Sequence, residues 1–486
     1  MKKGSSLKRF NYKLFLIKMI SKKIQIKMGK LKILVIFFMT FAFLAKTQEK
    51  PNIIFILADD LGYKDLGCYG NPFNETLVLD QLAKDGMLFT EAYAHPACSP
   101  SRAALMTGKH PARLGITTAI GLDRQDPASP VIPPKVAEYL PSSEITLAEI
   151  LKRNGYSTGM VGKWHLGHND NTGPFAQGFD YDRTIGKNGL DYYNYSISSK
   201  GKTVFEDDGS EYLTDKLTDY AVDFIQSQKK EKPFFLYLSY SAPHLYIIPK
   251  ADKVGKYMKK YGRFEEKYNP YYATMIESMD DGVGRVLEEL ERHGMLENTL
   301  VIFESDNGGV GIDQIAYRPT ILEPLRKWKG HVYEGGIRVP LIMAWKNKIN
   351  PGTQNDNYMV IHDFLPTIME LIGDPDLSLQ LDGKSFLSSV YQPTEKFERG
   401  PVYFHFPHFS GQGGFPAGAV RKGDWKLVEN YETGKTELFN IEKDISESND
   451  LKLSNPEKAK ELYEMLQYWR VAIDAKMPER KPGHEH

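Results

Sequence analysis

Residues 52 to 60 read Asn52-Ile53-Ile54-Phe55-Ile56-Leu57-Ala58-Asp59-Asp60, a nearly unbroken apolar run that stops at two carboxylates. A strand with one buried face alternates apolar and polar residues. A strand covered on both faces reads as a continuous apolar run. The pattern recurs in Pro233-Phe234-Phe235-Leu236-Tyr237-Leu238-Ser239, in Thr299-Leu300-Val301-Ile302-Phe303-Glu304-Ser305 and in Pro340-Leu341-Ile342-Met343-Ala344. Between these runs lie amphipathic stretches, Thr146 to Asn154, Asp215 to Lys229 and Tyr271 to His293. The last places Met275, Ile276, Met279, Val283, Val286, Leu287 and Leu290 at helical spacing. Strands alternating with helices imply an α/β fold, with a large mostly parallel or mixed sheet flanked by helices. In such sheets ligands gather beyond the carboxyl ends of the strands. Asp59, Asp60, His244, Asp306 and Asn307 all follow such runs.

Beyond about residue 390 the character changes. A turn at Gly400-Pro401 leads into Val402-Tyr403-Phe404-His405-Phe406, and short β-prone runs follow at 418–421, 425–428 and 437–440. Lys422-Gly423-Asp424 and Thr433-Gly434-Lys435 separate them as turns. A charged helix is expected from Pro456 to about Ala475. The chain therefore divides into a leader at 1–47, a large domain at 48–390 and a small C-terminal α+β subdomain at 391–486, an antiparallel sheet with a packing helix.

In the leader, Lys30 and Lys32 precede an apolar run from Ile33 to Ala45. A run of about a dozen residues suits a signal-peptide core and is short for a membrane span. Translation starting at Met1 or Met28 and cleavage near Ala45 to Gln48 would export the chain to the periplasm or the outside, with no stable membrane span left in it. The first 45 residues hold eleven Lys and Arg and no acid, so the remainder carries 51 bases against 62 acids. That balance argues against a nucleic-acid partner. The two cysteines, Cys68 and Cys98, could pair in an oxidising compartment. Cys68, in Leu66-Gly67-Cys68-Tyr69-Gly70, reads as a small packing residue in a tight turn.

Several side chains suit chemistry. Asp59 and Asp60 end one strand; Asp306 and Asn307 end another, in Ser305-Asp306-Asn307-Gly308-Gly309. Four oxygen-bearing side chains fit a hard divalent cation, calcium or magnesium. Singly, either pair is an ordinary turn or cap. Arg102 lies four residues after Cys98 and on a helix faces the same side. Lys163 and His165, two apart in Gly162-Lys163-Trp164-His165, share a face if extended. His244 follows a strand, and Lys329 sits in Trp328-Lys329-Gly330-His331.

The stretch Cys98-Ser99-Pro100-Ser101-Arg102, continuing Ala103-Ala104-Leu105-Met106-Thr107-Gly108-Lys109, resembles the signature of the type I, formylglycine-dependent sulfatases of the alkaline phosphatase-like superfamily. The resemblance runs from Pro51 to about Pro340 in family order, and the small C-terminal subdomain also fits. It implies a catalytic sulfatase domain at 48–390 and oxidation of Cys98 to formylglycine (3-oxoalanine) by a formylglycine-generating or anaerobic maturating enzyme, which would exclude a Cys68–Cys98 disulfide. It implies one bound Ca2+, with Mg2+ an alternative, held by Asp59, Asp60, Asp306, Asn307 and the modified Cys98. It implies sulfate contacts from Arg102, Lys163, His165, His244 and Lys329. A hydroxyl of the hydrated aldehyde would attack sulfur, deprotonated towards Asp306. His244, with Lys329, would protonate the leaving oxygen, and His165 would take the proton of the second hydroxyl. One departure is visible: Gly108-Lys109 stands where the family often has Gly-Arg, which keeps the charge.

The implied substrate is a sulfated oligo- or polysaccharide, an algal polymer such as ulvan first among the candidates, with carrageenan and animal glycosaminoglycans also fitting. The net acidic chain favours recognition by a local basic pocket, on oligosaccharides or chain ends. Three segments read as substrate loops: Asp180 to Tyr195, Gln314 to Trp328, and His405 to Phe415. Two other readings stay open. One is a phosphodiesterase or phosphonate hydrolase of the same superfamily. The other is a non-catalytic sulfated-sugar-binding protein that keeps Cys98 as a thiol.

Overall fold

The computed structural model describes residues 50–122, 124–169, 171–186, 191–262, 267–312, 318–374 and 376–483, with 18–19 and 21–23 of the leader. The expected signal peptide and its cleavage region lie outside the described residues. Among the described residues no helix is long and apolar enough to cross a membrane.

The apolar run at 52 becomes β1 (Asn52–Ala58), and all seven of its residues are buried. It occupies the middle of an eleven-stranded sheet. The other strands that matter are β2 (Met87–Tyr93), β3 (Ser157–Gly162), β4 (Tyr181–Ile185), β5 (Ser196–Ser199), β6 (Lys202–Glu206), β7 (Phe234–Ser239), β8 (Thr299–Ser305), β9 (Arg338–Ala344) and β10 (Thr353–Asn355). Their order is β10-β2-β9-β8-β1-β7-β3-β4-β5-β6, with Met359–Val360 pairing beside β2. β8, β1, β7, β3 and β4 run parallel. β9 is antiparallel to both neighbours, as is β5, so the sheet is mixed. The continuous apolar reading of residues 340–344 was right about burial, but direction is not encoded in a run buried on both faces.

Helices cover both faces: α1 (Leu77–Asp85), α2 (Cys98–Thr107), α3 (Leu147–Arg153), α4 (Leu213–Gln226), α5 (Pro270–Arg292) and α6 (Phe364–Leu371). Two apolar cores result. Ile53, Phe55 and Leu57 of β1 pack with α2, α3 and α6; Ile54, Ile56 and Ala58 pack with α1, α4 and α5. Each fully buried Ile or Leu in these layers contributes about 1.5–3 kcal/mol. Helix ends follow local chemistry. Thr146 and Glu149 form a capping box on α3, and Asn269 caps α5 with Pro270 at its first position.

The C-terminal strands β11 (Val402–Phe406), β12 (Ala417–Lys422), β13 (Trp425–Asn430) and β14 (Thr436–Asn440) form the expected antiparallel sheet. The helix α7 (Pro456–Ala472) covers it through Leu462, Leu466 and Trp469 against Val420, Leu427 and Leu438. Both cysteines are free, and Cys68 sits half-buried in a short turn of helix.

Candidate active site

The carboxyl ends of the parallel strands converge on one buried cluster. Asp59 and Asp60 follow β1, Lys163 follows β3, His244 lies past β7, and Asp306 and Asn307 follow β8. Backbone bonds lock these exits together. Asp59 N donates to Ala242 O at 3.1 Å, Asp306 N to Ala58 O at 3.1 Å, and Lys163 N to Ser239 O at 2.8 Å. Glycine makes the last approach possible. Gly162 has φ +109°, and a Cβ there would lie 1.8 Å from Ser239 O.

Cys98 is the first residue of α2, whose ten residues are all buried. It therefore sits at the positive end of the helix. Its Sγ lies 3.3 Å from Asp59 Oδ1 and 3.7 Å from Asp60 Oδ1, and Lys329 Nζ reaches it at 3.2 Å. Arg102, one turn on and fully buried, faces the same cluster as expected. It donates to Asp306 Oδ2 through Nε at 3.0 Å and Nη2 at 2.7 Å, and to Lys163 O through Nη1 at 2.7 Å. Lys163 Nζ meets Asp59 Oδ2 at 2.5 Å, and Lys329 Nζ meets Asp60 Oδ1 at 2.5 Å. His244 Nε2 lies 3.6 Å from Asp60 Oδ2. Asn307 Nδ2 donates to Asp60 Oδ1 at 2.8 Å, and Asp60 N to Asp306 Oδ1 at 3.1 Å.

His165 departs from the extended reading. Its φ is +57°, so the argument that Lys163 and His165 share a strand face does not apply. Its Nε2 sits 3.2 Å from Ile120 O, and its Nδ1 is buried without a partner. Sequence reasoning also missed the supports. Ser99 Oγ donates to His165 O at 2.9 Å and accepts from Ile120 N at 3.0 Å. Tyr192 OH donates to Ser241 O at 2.9 Å and His244 O at 3.1 Å, fixing the His244 loop. Tyr192 belongs to a segment expected to meet substrate, yet it is fully buried. His405 is likewise buried, between Tyr431 OH at 2.8 Å and Lys476 O at 3.0 Å. Its apolar neighbours in the sequence were the available signal.

The electrostatics follow from burial and pairing. Burial raises the Asp59 carboxyl, but Lys163, His244, Arg102 and Lys329 outweigh it and hold it well below the usual range. Burial and then Asp59 push Asp306 up to about 7 against the pull of Arg102. Burial, with Lys163 adding, lowers His244 to about 4. Burial pushes the Cys98 thiol well above its ordinary range, and Asp306 and Asp59 reinforce this. A thiol held neutral is a poor nucleophile, so the arrangement does not suit cysteine chemistry as such.

The residues also fit a hard cation. Asp59, Asp60, Cys98 and His244 each offer a ligand atom within 4.8 Å of the others. Asp60 Oδ2 and Asn307 Oδ1 are buried oxygens with no hydrogen-bond donor. A buried lone acceptor costs about 1–3 kcal/mol unless something meets it. Carboxylate and amide oxygens are the donors that divalent calcium or magnesium takes.

A protein-family model described as Sulfatase matches residues 51–374. The chain belongs to the sulfatase family. A second model, described as N-sulphoglucosamine sulphohydrolase, C-terminal, matches residues 327–471 of this sulfatase. Among curated relatives, a sulfatase of Formosa agariphila is 31% identical, covering 88% of this chain and 90% of its own. The N-acetylgalactosamine-6-sulfatase of Rattus norvegicus is 34% identical, covering 72% of this chain and 67% of its own. Among solved structures, Ps i-CgsB in complex with k-i-k-neocarrahexaose superposes with a TM-score of 0.75 at 31% identity, covering 86% of this chain and 92% of that one. The PsFucS1 sulfatase from Pseudoalteromonas sp. gives 0.71 at 25%, covering 90% and 93%. The phosphonate monoester hydrolase of Agrobacterium radiobacter gives 0.62 at 18%, a likeness of fold alone. The sulfatase is thus a sulfuric ester hydrolase of carbohydrate type, from a family that uses formylglycine and a divalent metal.

Proposed function

We propose that this sulfatase is exported and removes sulfate from an algal sulfated polysaccharide, acting on oligosaccharides or chain ends, with Cys98 matured to formylglycine and calcium as the metal. The neocarrahexaose in the i-CgsB complex moves the choice of polymer from ulvan, the first expectation, to a carrageenan-type galactan. The N-acetylgalactosamine-6-sulfatases support the same direction, since both names point to galacto-configured sugars.

The observation that carries the chemistry is the placement of Cys98 Sγ between Asp59, Asp60 and Lys329 at the buried start of a helix. Hydrated formylglycine supplies a hydroxyl that can attack sulfur and a second whose deprotonation ejects the sulfate. Asp59, Asp60, Asp306 and Asn307 would hold the metal, which supplies positive charge where the sulfate oxygens gather electron density. Arg102 keeps Asp306 oriented through two bonds to one oxygen, leaving the other oxygen towards Asp60 N. Lys163 and Lys329 aim ammonium groups at the reacting position and stabilise the charge that develops there. Lys329 and His244 flank opposite oxygens of Asp60; Lys329, charged beside it, is placed to give the leaving oxygen its proton, and the neutral His244 to hydrogen-bond that oxygen. The three carboxylates and three side-chain cations of the cluster balance, so a bound divalent cation would leave the pocket net positive and local recognition of an anion would follow.

The test is sulfate release from carrageenan, ulvan and glycosaminoglycan oligosaccharides and from an aryl sulfate, by wild type and Cys98→Ala made with a formylglycine-generating enzyme. Release from galactan oligosaccharides that Cys98→Ala abolishes supports the proposal. Release from the aryl ester alone removes the carbohydrate assignment. Faster cleavage of phosphate diesters than of any sulfate ester would replace it with the superfamily rival.

A further inference from the structure

Each cation of the buried cluster already faces a carboxylate: Arg102 on Asp306, Lys163 on Asp59, Lys329 on Asp60. Two cations just outside it do not. Among the described residues, neither Arg124 nor Lys327 makes a hydrogen bond or ion pair, and Lys327 Nζ lies over the Trp328 ring, 5.5 Å from its centroid. Arg124 is exposed, while Lys327 and Trp328 are half-buried.

These three residues lie along one rim. On one side, Ile120 is tied to His165 and to Ser99 at the first turn of α2. That places Ile120, four residues before Arg124, beside the cluster. On the other side, Lys329 N donates to Gly309 O at 3.1 Å and Gly330 N to Pro96 O at 2.8 Å, which fixes Trp328 next to the active-site lysine. The loop after β11 joins the two. Trp328 Nε1 donates to Gln412 O at 2.6 Å. A Cβ on Gly330 would meet Ser410 Oγ at 2.2 Å, and a Cβ on Gly411 would meet the Arg124 guanidinium at 2.4 Å. Glycine at both positions lets the three segments touch. One face of the Trp328 indole packs on Gly311, where a Cβ would lie 2.3 Å from the ring.

We infer that Trp328, Lys327 and Arg124 form a carbohydrate subsite for a second anionic sugar, next to the one whose ester is cleaved. The inference rests on the sulfated-carbohydrate reading above. The half-buried Trp328 indole, its Nε1 already held by Gln412 O, offers apolar ring area bordered by the Lys327 ammonium, which suits a charged sugar ring. Two cations that meet no carboxylate among the described residues suit a sulfate or a uronate carboxylate on that ring. Such rim charges act on substrate capture and are screened by salt. The ligand chemistry shared by the two sources is a singly charged oxyanion on a pyranose.

The experiment is steady-state kinetics of wild type, Arg124→Gln, Arg124→Lys and Arg124→Gln/Lys327→Gln. Each acts on an aryl sulfate, on an oligosaccharide with sulfate on two adjoining sugars, and on one with a uronate beside the sulfated sugar. The readout is the ratio of kcat/KM for each oligosaccharide to that for the aryl ester. The subsite predicts a ratio at least tenfold lower in Arg124→Gln, lower again in the double variant, and partly restored in Arg124→Lys. It also predicts that added NaCl erodes the wild-type ratio more than that of the double variant. A fall only with the disulfated substrate identifies sulfate as the second anion; a fall only with the uronate identifies carboxylate. Unchanged ratios in an active enzyme overturn the subsite while leaving the reaction intact. A wild type that cleaves the aryl ester and neither oligosaccharide overturns the carbohydrate reading instead.

Discussion

Arg102 grips Asp306 Oδ2 through both Nε and Nη2, at 3.0 and 2.7 Å, and neither side chain is exposed to solvent. The fork geometry belongs to a guanidinium; an ammonium cannot reproduce it. Arg102→Lys is therefore expected to fold but to lose kcat/KM by about 10²–10³, the scale for removing one preorganised donor from a reacting site. Arg102→Ala leaves a buried carboxylate without its cation and is expected to lose about 3–5 kcal/mol of stability. Sulfate-release kinetics and urea unfolding read the two effects separately. An Arg102→Lys variant with wild-type kcat/KM would remove the role.

Metal binding has a prediction of its own. The oxygens of Asp60 and Asn307 that lack donors should gain a partner in the loaded protein. A ligand at a hundredfold excess over its Kd adds about 2.7 kcal/mol to apparent stability. Added Ca2+ should raise the thermal midpoint of the chelator-treated protein, with Mg2+ as the comparison. Asp60→Asn and Asn307→Ala should each abolish the rise. A midpoint indifferent to both ions would count against a metal at this place.

The strands β1, β7 and β8 were legible because their continuous apolar runs end in charged or polar residues, which marks both burial and the edge that carries the candidate site. β3 was not, since Ser157-Thr158-Gly159-Met160-Val161-Gly162 lacks a continuous apolar run. Its glycines are needed for packing. A Cβ on Gly159 would meet the Phe224 ring at 2.6 Å, and one on Gly162 the backbone of β7. The cluster of Asp59, Asp60, Cys98, Arg102, Lys163, His244, Asp306, Asn307 and Lys329 was readable residue by residue because each follows a strand or carries a motif. The orientation of His165 was not, because a left-handed residue outside glycine leaves no mark in composition.

The segment that carries Lys329 depends on the C-terminal sheet. Lys426 on β13 is fully buried, with Nζ 2.9 Å from Glu334 Oε1 and 2.8 Å from Glu447 Oε1. Glu334 N donates to Glu447 Oε2 at 2.7 Å, and Arg326 bonds Glu437 and the Glu447 carbonyl. Both ends of the loop from Arg326 to Glu334 are thus held from one side. Lys426→Ala should cost about 3–5 kcal/mol, because it leaves the buried Glu447 carboxylate without a cation and takes Lys426 from Glu334, which keeps Arg338. Lys426→Met with Glu334→Gln and Glu447→Gln should recover most of the stability. If the network positions Lys329, kcat should remain lowered in the recovered protein. Full kcat there would make the network purely structural.

Acid lability should originate in the histidines beneath the C-terminal sheet. His110 is bracketed by Ala112 N and Tyr403 O, near Asp382, Arg113 and Arg399, and burial lowers it to about 4. His405 is lowered to about 3 by burial, with Arg470, His110 and His408 adding and the Lys476 carbonyl opposing. His95 and His362 touch at 3.4 Å and are held neutral by burial, with Arg399 beside His362. Each folded value lies below the ordinary 6.5, so the unfolded chain takes up the proton first. The stabilisation is complete above pH 6.5 and is lost as pH falls through the folded values, a window from about 6.5 to about 3. Each such histidine should remove about 1.5 kcal/mol between pH 6.5 and 5. Urea unfolding at those two pH values measures the loss, and His405→Gln should reduce it by one group's share. A stability flat across that interval would mean the histidines are not neutral in the fold.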